Sequence, residues 1–539
     1  MSAVKHYTNV YFSRNRLFVR GFDENWNPVT EKVSFKPTVW VEPTNGYHQY
    51  KESIVNVETK KWKSFIGKRP LVGLTFKDIG SCRKFVSENR KYEKVDGKMK
   101  VISEKVYTPP TNPFICQYIS ENFTTEPVPM ERLRVYTYDI ETEVGHRNVP
   151  DDSKIKIRKI TDDDSMFEQK SQSLETTIAE YELHPDKDKW EILNEDTGEW
   201  VSYDVHPYRF IGGFPHPAKA EERITLITIK DINQSEIRTW GLKDFTTDRQ
   251  EVHYYKCKTE DELLRGFLAF WTQNYPDIGT SWNGSRFDNT YLYNRIKIRL
   301  GEDEANRLSP FGEVFQRPIE GTDDIETSFG GIADLDYLRL YRKFNTKAQE
   351  NYKLDTIANL EIGFKKVENP TGGSFRDFYT GQFEVRQKPK EDDTEIRKLG
   401  YERTKLYDHY KETGEGYEEW EALDKKIRDL CAQTFIEYNI RDVELVDKID
   451  NKRKYINLAM TIAYSAQCNY EDVFSPVKTW DYIIYNHLIK DGIVVPIKKP
   501  ANKTEKFEGA YVKPPLIGKH EYCASFDLDS LLKYFDSRL

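Results

Sequence analysis

A run of eight residues, Val135-Tyr136-Thr137-Tyr138-Asp139-Ile140-Glu141-Thr142, constrains the fold of this chain more than any other. Its β-branched and aromatic residues predict a strand. Strand side chains alternate with period two, so Leu133, Val135, Thr137 and Asp139 share one face. Asp139 and Glu141, at i and i+2, project to that same face. Among Leu133, Val135 and Ile140, two such carboxylates repel strongly when dry and unpaired. A bound divalent cation resolves the conflict. An exposed Asp-x-Glu at a strand end is the alternative, and for the tripeptide alone it is the commoner one.

Two further motifs follow downstream. Trp282-Asn283-Gly284-Ser285-Arg286-Phe287-Asp288 leads into a predicted helix, Asn289 to Leu300. A carboxylate in the first helical turn is favoured by the macrodipole and stays ionised. That serves helix capping and metal binding equally well for Asp288. Asn283 either hydrogen-bonds a substrate or ties the loop. Tyr438 and Asp442 then stand four apart in a helical pattern with Phe435, Ile436 and Val446, so both lie on one face. There the phenol suits orienting an attacking water and the carboxylate suits holding a metal. Each motif alone has a structural reading, but the set is stronger than its parts. Phosphodiester hydrolysis uses two cations about 3.5–4 Å apart, one activating water and one stabilising the leaving oxygen. Hard oxygen ligands suit Mg²⁺ or Mn²⁺. Two carboxylates from one strand and one from each of two helices can converge on such a pair.

Composition narrows the class. The 539 residues carry a formal charge of −8, which argues against a generally basic nucleic-acid coat. Lys and Arg can still line one channel while carboxylates gather around metal ions. The six cysteines (Cys82, Cys116, Cys257, Cys431, Cys468 and Cys523) contain no Cys-x-x-Cys pair, so neither a zinc ribbon nor a disulfide framework is suggested. The start, Met-Ser-Ala-Val-Lys-His, has no apolar signal core. No run approaches the ~18–20 apolar residues of a membrane span. A cytosolic, reduced chain with no membrane partner is expected.

The length predicts several domains. In the first ~130 residues, Asn9-Val10-Tyr11-Phe12 and Arg16 to Arg20 read as hairpin strands, and Thr38-Val39-Trp40-Val41 as another β-rich run. Ile79 to Phe85 opens a helix with Ser81 as its cap. An α+β domain over 1–130 is expected. From 131 onward, Ile224 to Ile229 is a second strong strand. Asp261 to Tyr275 has Leu263, Leu264, Phe267, Phe270 and Trp271 at helical spacing. Strands alternating with helices predict an α/β domain over 131–454. Two charged stretches, near 145–209 and 365–421, read as surface insertions rather than sources of chemistry. In the first, Trp190 to Leu193 and Glu199 to Ser202 flank Asp196-Thr197-Gly198, a hairpin signal. Pro496 to Lys503 reads as a linker.

Taken together, Asp139-Ile140-Glu141, Asn283-x-x-x-Phe287-Asp288 and Tyr438-x-x-x-Asp442 resemble the three exonuclease motifs of DnaQ-like nucleases as found in family-B DNA polymerases. Leu308-Ser309-Pro310, Leu335 to Leu338, Ser475 to Asp481 and Gly509-Ala510-Tyr511-Val512 are similar to T-even-type bacteriophage members of that family. The resemblance implies a mixed α/β, ribonuclease-H-like exonuclease domain. It assigns two ions, Mg²⁺ or Mn²⁺, to Asp139, Glu141, Asp288 and Asp442. Tyr438 would assist the nucleophilic water, and Asn283 and Phe287 would contact DNA. The N-terminal domain would receive the chain again over 455–497, before a palm beginning at 498–539. Val314 to Ile332 occupies the place of the family hairpin that separates primer from template. Gly509, Ala510 and Tyr511 match the family's template-contacting segment, or form an ordinary strand containing a glycine.

Ser525-Phe526-Asp527-Leu528-Asp529-Ser530-Leu531 resembles the start of polymerase motif A, with Asp527 as its first metal-binding aspartate. The family's continuation, Tyr-Pro-Ser, does not follow Leu531. One aspartate does not assemble a two-metal polymerase site. The expectation is therefore a 3′-to-5′ DNA exonuclease acting on single-stranded 3′ ends and primer–template DNA. Synthesis would depend on a C-terminal polymerase fragment, and a sliding clamp would be reached only through that missing part. The setting would be the cytoplasm of an infected bacterial cell. The alternative is a non-catalytic DNA-binding or docking subunit of a split polymerase. A free-standing RNA nuclease is disfavoured by the palm-like sequence.

Overall fold

The computed structural model of the protein describes residues 3–95, 98–143, 154–160, 167–173, 190–194, 199–202, 215–319, 322 and 324–496. Met1–Arg90 with Glu104–Ile497 form one compact unit, and Lys91–Ser103 with Lys498–Leu539 a second.

Strands β1 (His6–Ser13), β2 (Arg16–Phe22) and β3 (Pro28–Val33) form an antiparallel sheet in that order. The β1–β2 turn, Arg14-Asn15, has φ of 46° and 63°, the sense that a two-residue hairpin demands. Next come β4 (Thr38–Val41), β5 (Ile54–Ser64) and β6 (Pro70–Phe76), then helix α1 (Ile79–Glu88), which buries Cys82 and Phe85 beside Phe76. The cap of α1 is Asp78, not Ser81: its carboxylate accepts from Ser81 N at 2.7 Å. Asp78 is the extended residue just before the first turn, whereas Ser81 already lies inside the helix. The described part of the second unit, within 91–103, is the paired strands β7 (Arg90–Val95) and β8 (Lys98–Glu104). Strand β9 (Val106–Tyr107) pairs with β4, and α2 (Pro113–Asn122) follows.

The sheet that positions the site is built around β10 (Val135–Thr142). A separate four-stranded sheet comes from the first charged stretch. It comprises β11 (Lys154–Ile160), β12 (Phe167–Ser173), β13 (Trp190–Asn194) and β14 (Glu199–Ser202), in the order β12-β11-β13-β14. The hairpin β13–β14 is antiparallel, with Asn194 opposite Glu199; its Asp196-Thr197-Gly198 turn lies outside the described residues. Then come β15 (Ile224–Asp231), β16 (Glu236–Gly241), β17 (Val252–Lys256), α3 (Glu260–Gln273), β18 (Ile278–Thr280), α4 (Asp288–Leu300) and α5 (Glu302–Asn306). The hairpin β19 (Val314–Pro318) and β20 (Ile325–Phe329) precedes β21 (Ala333–Asp334).

Six of these strands form one mixed sheet, ordered β17-β16-β15-β10-β18-β21. Strand β15 is antiparallel to β10 and β16, and the remaining pairings are parallel. Helices follow: α6 (Tyr337–Phe344), α7 (Leu354–Ile362), α8 (Phe375–Thr380), α9 (Glu395–Thr413) and the 37-residue α10 (Tyr417–Arg453). Period-two alternation divides β10 between two layers. Tyr136, Tyr138 and Ile140 pack with Leu264, Phe267 and Trp271 of α3 and Tyr291 and Ile296 of α4. Val135 shares a cluster with Leu445, Val446 and Ile449 of α10. The fold is thus mixed α/β and ribonuclease-H-like, with helices on both faces of the sheet. The odd-numbered residues of β10, including Asp139 and Glu141, face α10.

Two ties hold α10 in register. Lys230 of β15 meets Asp447 at 2.8 Å, with both side chains buried, and Tyr337 Oη donates to Asp450 Oδ1 at 3.0 Å. Helices α11 (Tyr455–Ala466) and α12 (Pro476–Lys490) lead to β22 (Ile493–Val494), which runs parallel to β5. Between them, Asn469 bonds both backbone groups of Val10, at 2.9 and 2.8 Å, and Tyr7 Oη donates to Cys468 O at 2.9 Å. Five cysteines among the described residues are free and buried. Among the described residues no helix is long and apolar enough to cross a membrane.

A candidate carboxylate metal centre

Asp139, Glu141 and Asp442 come together, each offering a carboxylate oxygen within 4.8 Å of the others. Strand β10 supplies two of them on one face, and α10 crosses that face to supply the third. Asp288, first residue of α4, approaches from the other side: its Oδ1 accepts from Ile140 N at 3.2 Å. No side-chain cap closes α4, whose N-cap residue is Phe287. Asn289 fixes that approach. Its Oδ1 accepts from Tyr138 Oη at 2.5 Å, and its Nδ2 donates to Asp334 Oδ2 at 2.9 Å. The preceding loop needs its glycine: a Cβ on Gly284 would stand 1.8 Å from Ser281 Oγ and 3.0 Å from Asp288 Oδ2.

Two groups that the sequence did not mark enter the cluster. Lys366 Nζ donates to Asp442 Oδ2 and, at 3.0 Å, to Tyr438 Oη. It belongs to the stretch read as a surface insertion without chemistry, whose first residues thus reach the carboxylates. Asn439, fully buried, donates from Nδ2 to Asp139 Oδ2 at 2.7 Å.

The electrostatics follow from enclosure. Burial, then the charges of Asp288, Glu141 and Asp442, push the Asp139 carboxyl well above its ordinary range. Burial and Asp442 push Glu141 up to about 8, with Lys366 and Asn439 opposing. Burial pushes Asp288 up to about 7 against hydrogen bonds from Ile140 N and its own backbone. Asp442 is also raised by burial, with Lys366 opposing. Burial alone would lower Lys366, but Asp442, Tyr438 and Asp139 raise it, so it stays an ammonium. The Tyr438 phenol is raised by burial and by Asp442 and Glu141, and so stays protonated.

Asp442 Oδ1 is buried without a hydrogen-bond partner. An unpaired buried acceptor beside carboxylates that repel one another is a set that wants positive charge. All four donors are hard oxygens, so the residues fit Mg²⁺ or Mn²⁺. Among the other expected contacts, Asn283 is exposed with a left-handed φ of 70°. Phe287 is half-buried, its ring 5.6 Å from that of Tyr291. Gly509, Ala510, Tyr511 and Asp527 lie outside the described residues.

Residues 81–357 match the family described as DNA polymerase family B, exonuclease domain. That span includes Asp139, Glu141 and Asp288 and ends before Lys366, Tyr438 and Asp442. The DNA-directed DNA polymerase of Escherichia phage RB69 is 31% identical over 379 residues, which cover 65% of this chain and 35% of that protein. That of Enterobacteria phage T4 is 31% identical over 283 residues, 52% of this chain and 26% of that protein. The DNA polymerase catalytic subunit of rat cytomegalovirus (strain Maastricht) is 31% identical over 131 residues, 22% of this chain and 11% of that protein. The chain thus spans about a third or less of the length of these curated relatives.

Proposed function

The chain belongs to the family-B DNA polymerases, as an exonuclease region of the T-even type, and from that premise we propose that it removes nucleotides from DNA 3′ ends by metal-dependent hydrolysis. The convergence of Asp139, Glu141 and Asp442, with one Asp442 oxygen buried and unpaired, carries the reading. With Asp288 they would hold two divalent ions, Mg²⁺ or Mn²⁺, whose charge activates water and stabilises the leaving oxygen. The chain's own residues do the rest. Lys366 offsets part of the carboxylate charge and fixes Tyr438 by donating to its oxygen. The phenol keeps a single proton, which can point at Asp442 or at an incoming water. A hydroxyl so held orients the water that attacks the terminal phosphodiester.

Single-stranded 3′ ends and primer–template DNA are the proposed substrates, with Asn283 and Phe287 at the rim contacting the unpaired terminus. DNA-directed synthesis is proposed only where the rest of a palm, with fingers and thumb, is also present, and contact with a sliding clamp only through those parts. The two phage relatives support action inside an infected bacterial cell. The test is a 5′-labelled single-stranded oligonucleotide incubated with the purified chain. Stepwise shortening with Mg²⁺ or Mn²⁺, blocked by EDTA, is expected. An oligonucleotide left intact with either ion would defeat the proposal.

A further inference from the structure

We propose that Asn439 is a positioning residue that orients Asp139 for cation binding. The inference rests on the metal-dependent reading above and adds a residue to it. Helix α10 presents three polar side chains to the cluster: Tyr438, Asn439 and Asp442. Lys366 serves the first and third. Its ammonium also acts on Asp139 and Glu141 through their charge. The hydrogen bond to Asp139 comes instead from the Asn439 amide, at 2.7 Å from Oδ2.

The residue type follows from what its neighbours are. With a cation bound the Asp139 carboxylate is ionised and only accepts hydrogen bonds, so the amide must turn its NH₂ toward it. That leaves Asn439 Oδ1 pointing away, and it is buried without a partner. Leaving an acceptor unpaired costs stability, so the side chain is set for Asp139 at the expense of its own satisfaction. A second ammonium in its place would compete with a divalent cation for the same oxygens. A neutral donor fixes the carboxylate rotamer while leaving the negative charge intact. Donors of this kind behind metal-binding groups typically contribute 10–100-fold to affinity or activity.

The experiment uses Mn²⁺ alone as the probe, titrated calorimetrically into the full chain, with no DNA. Asn439→Leu keeps the branching at Cγ, with a larger volume, and removes the donor; Asn439→Ser returns a smaller donor. The expected result is Mn²⁺ affinity lowered about 10–100-fold in the Leu variant and partly restored in the Ser variant. Melting temperature and single-stranded DNA affinity, both measured in EDTA, should stay at parental values. Mn²⁺ affinity within twofold of the parent in Asn439→Leu would overturn the assignment. So would a Ser variant no better than Leu, or a loss of melting temperature and DNA affinity in step with metal affinity, which marks a packing role. Should the Leu variant fail to fold, Asn439→Ala against Asn439→Ser decides by the same readouts. A parent chain that binds Mn²⁺ yet cuts no DNA would defeat the hydrolytic reading and leave this one standing.

Discussion

Stripped of metal, the site should make the fold less stable as pH rises. Asp288 is 4% exposed, and its carboxyl is moved from 3.8 to about 7; Glu141 moves from 4.5 to about 8. Both shifts are upward, so the folded chain binds these protons more tightly than the unfolded chain. Their contribution favours folding below the unfolded pKa near 4 and is lost as pH climbs toward 7–8. At about 1.4 kcal/mol per unit, the Asp288 shift alone corresponds to roughly 4 kcal/mol. The carboxyls share protons and titrate as a set, so the individual values do not simply add. Against a typical stability of ~5–15 kcal/mol, this is a large fraction. Lys366 stays charged across the window and adds no slope of its own. The assay is calorimetric melting in EDTA between about pH 5 and pH 9, comparing the wild type with an Asp139→Asn, Glu141→Gln, Asp288→Asn triple variant. The wild type should lose ground to the variant as pH rises, and Mg²⁺ should restore it. A difference that is flat with pH, or that grows in favour of the wild type in EDTA, would refute the reasoning.

Three other outcomes follow from named contacts. Tyr438→Phe should lower turnover by roughly 10²-fold, in the range for a group acting on a proton in flight, with Mn²⁺ affinity unchanged by calorimetry; lost metal affinity would give the phenol a different role. Lys366→Met removes the ammonium that lowers Asp139, Glu141 and Asp442, so the acid limb of the pH–rate profile should move to higher pH; an unmoved limb contradicts the assignment. Arg295→Met strips a buried pair in which two guanidinium nitrogens each meet Glu260 at 2.7 Å. It should cost roughly 3–5 kcal/mol in denaturant titration, only part of it recovered by adding Glu260→Leu, because Glu260 also accepts from Ile224 N at 2.8 Å and Arg295 donates to Ala220 O and Glu221 O.

The strand and helix that carry the carboxylates were legible because their signals are periodic. The i, i+2 spacing of Asp139 and Glu141 fixed their common face before any partner was known, and the i, i+4 spacing of Tyr438 and Asp442 did the same on α10. What the spacing hid is informative. Lys366 sits in the loop between α7 and α8, inside a charged stretch with no periodicity, and only the packing of the chain brings it to Asp442. Asn439 lies between two marked residues, yet an asparagine in a helix carries no signal until the strand facing it is placed. The Ser81 expectation failed locally: Asp78, three residues earlier, has the stronger acceptor and stands at the boundary itself. Residues 365–421 were read as surface because charge usually means solvent. Near their N-terminal end Lys366 instead reaches Asp442 and Tyr438, while α9 packs against the first half of α10 through Arg403, which meets Asp424 at 2.8 Å.

The most direct measurement of the central claim is rapid-quench release of nucleotides from a single-stranded 3′ end with Mg²⁺ by an Asp139→Ala, Glu141→Ala variant. The account predicts release no faster than the EDTA control, from a chain whose metal-free melting temperature at about pH 8 equals or exceeds that of the wild type, because two mutually repelling carboxylates are gone. Release at the wild-type rate would contradict it.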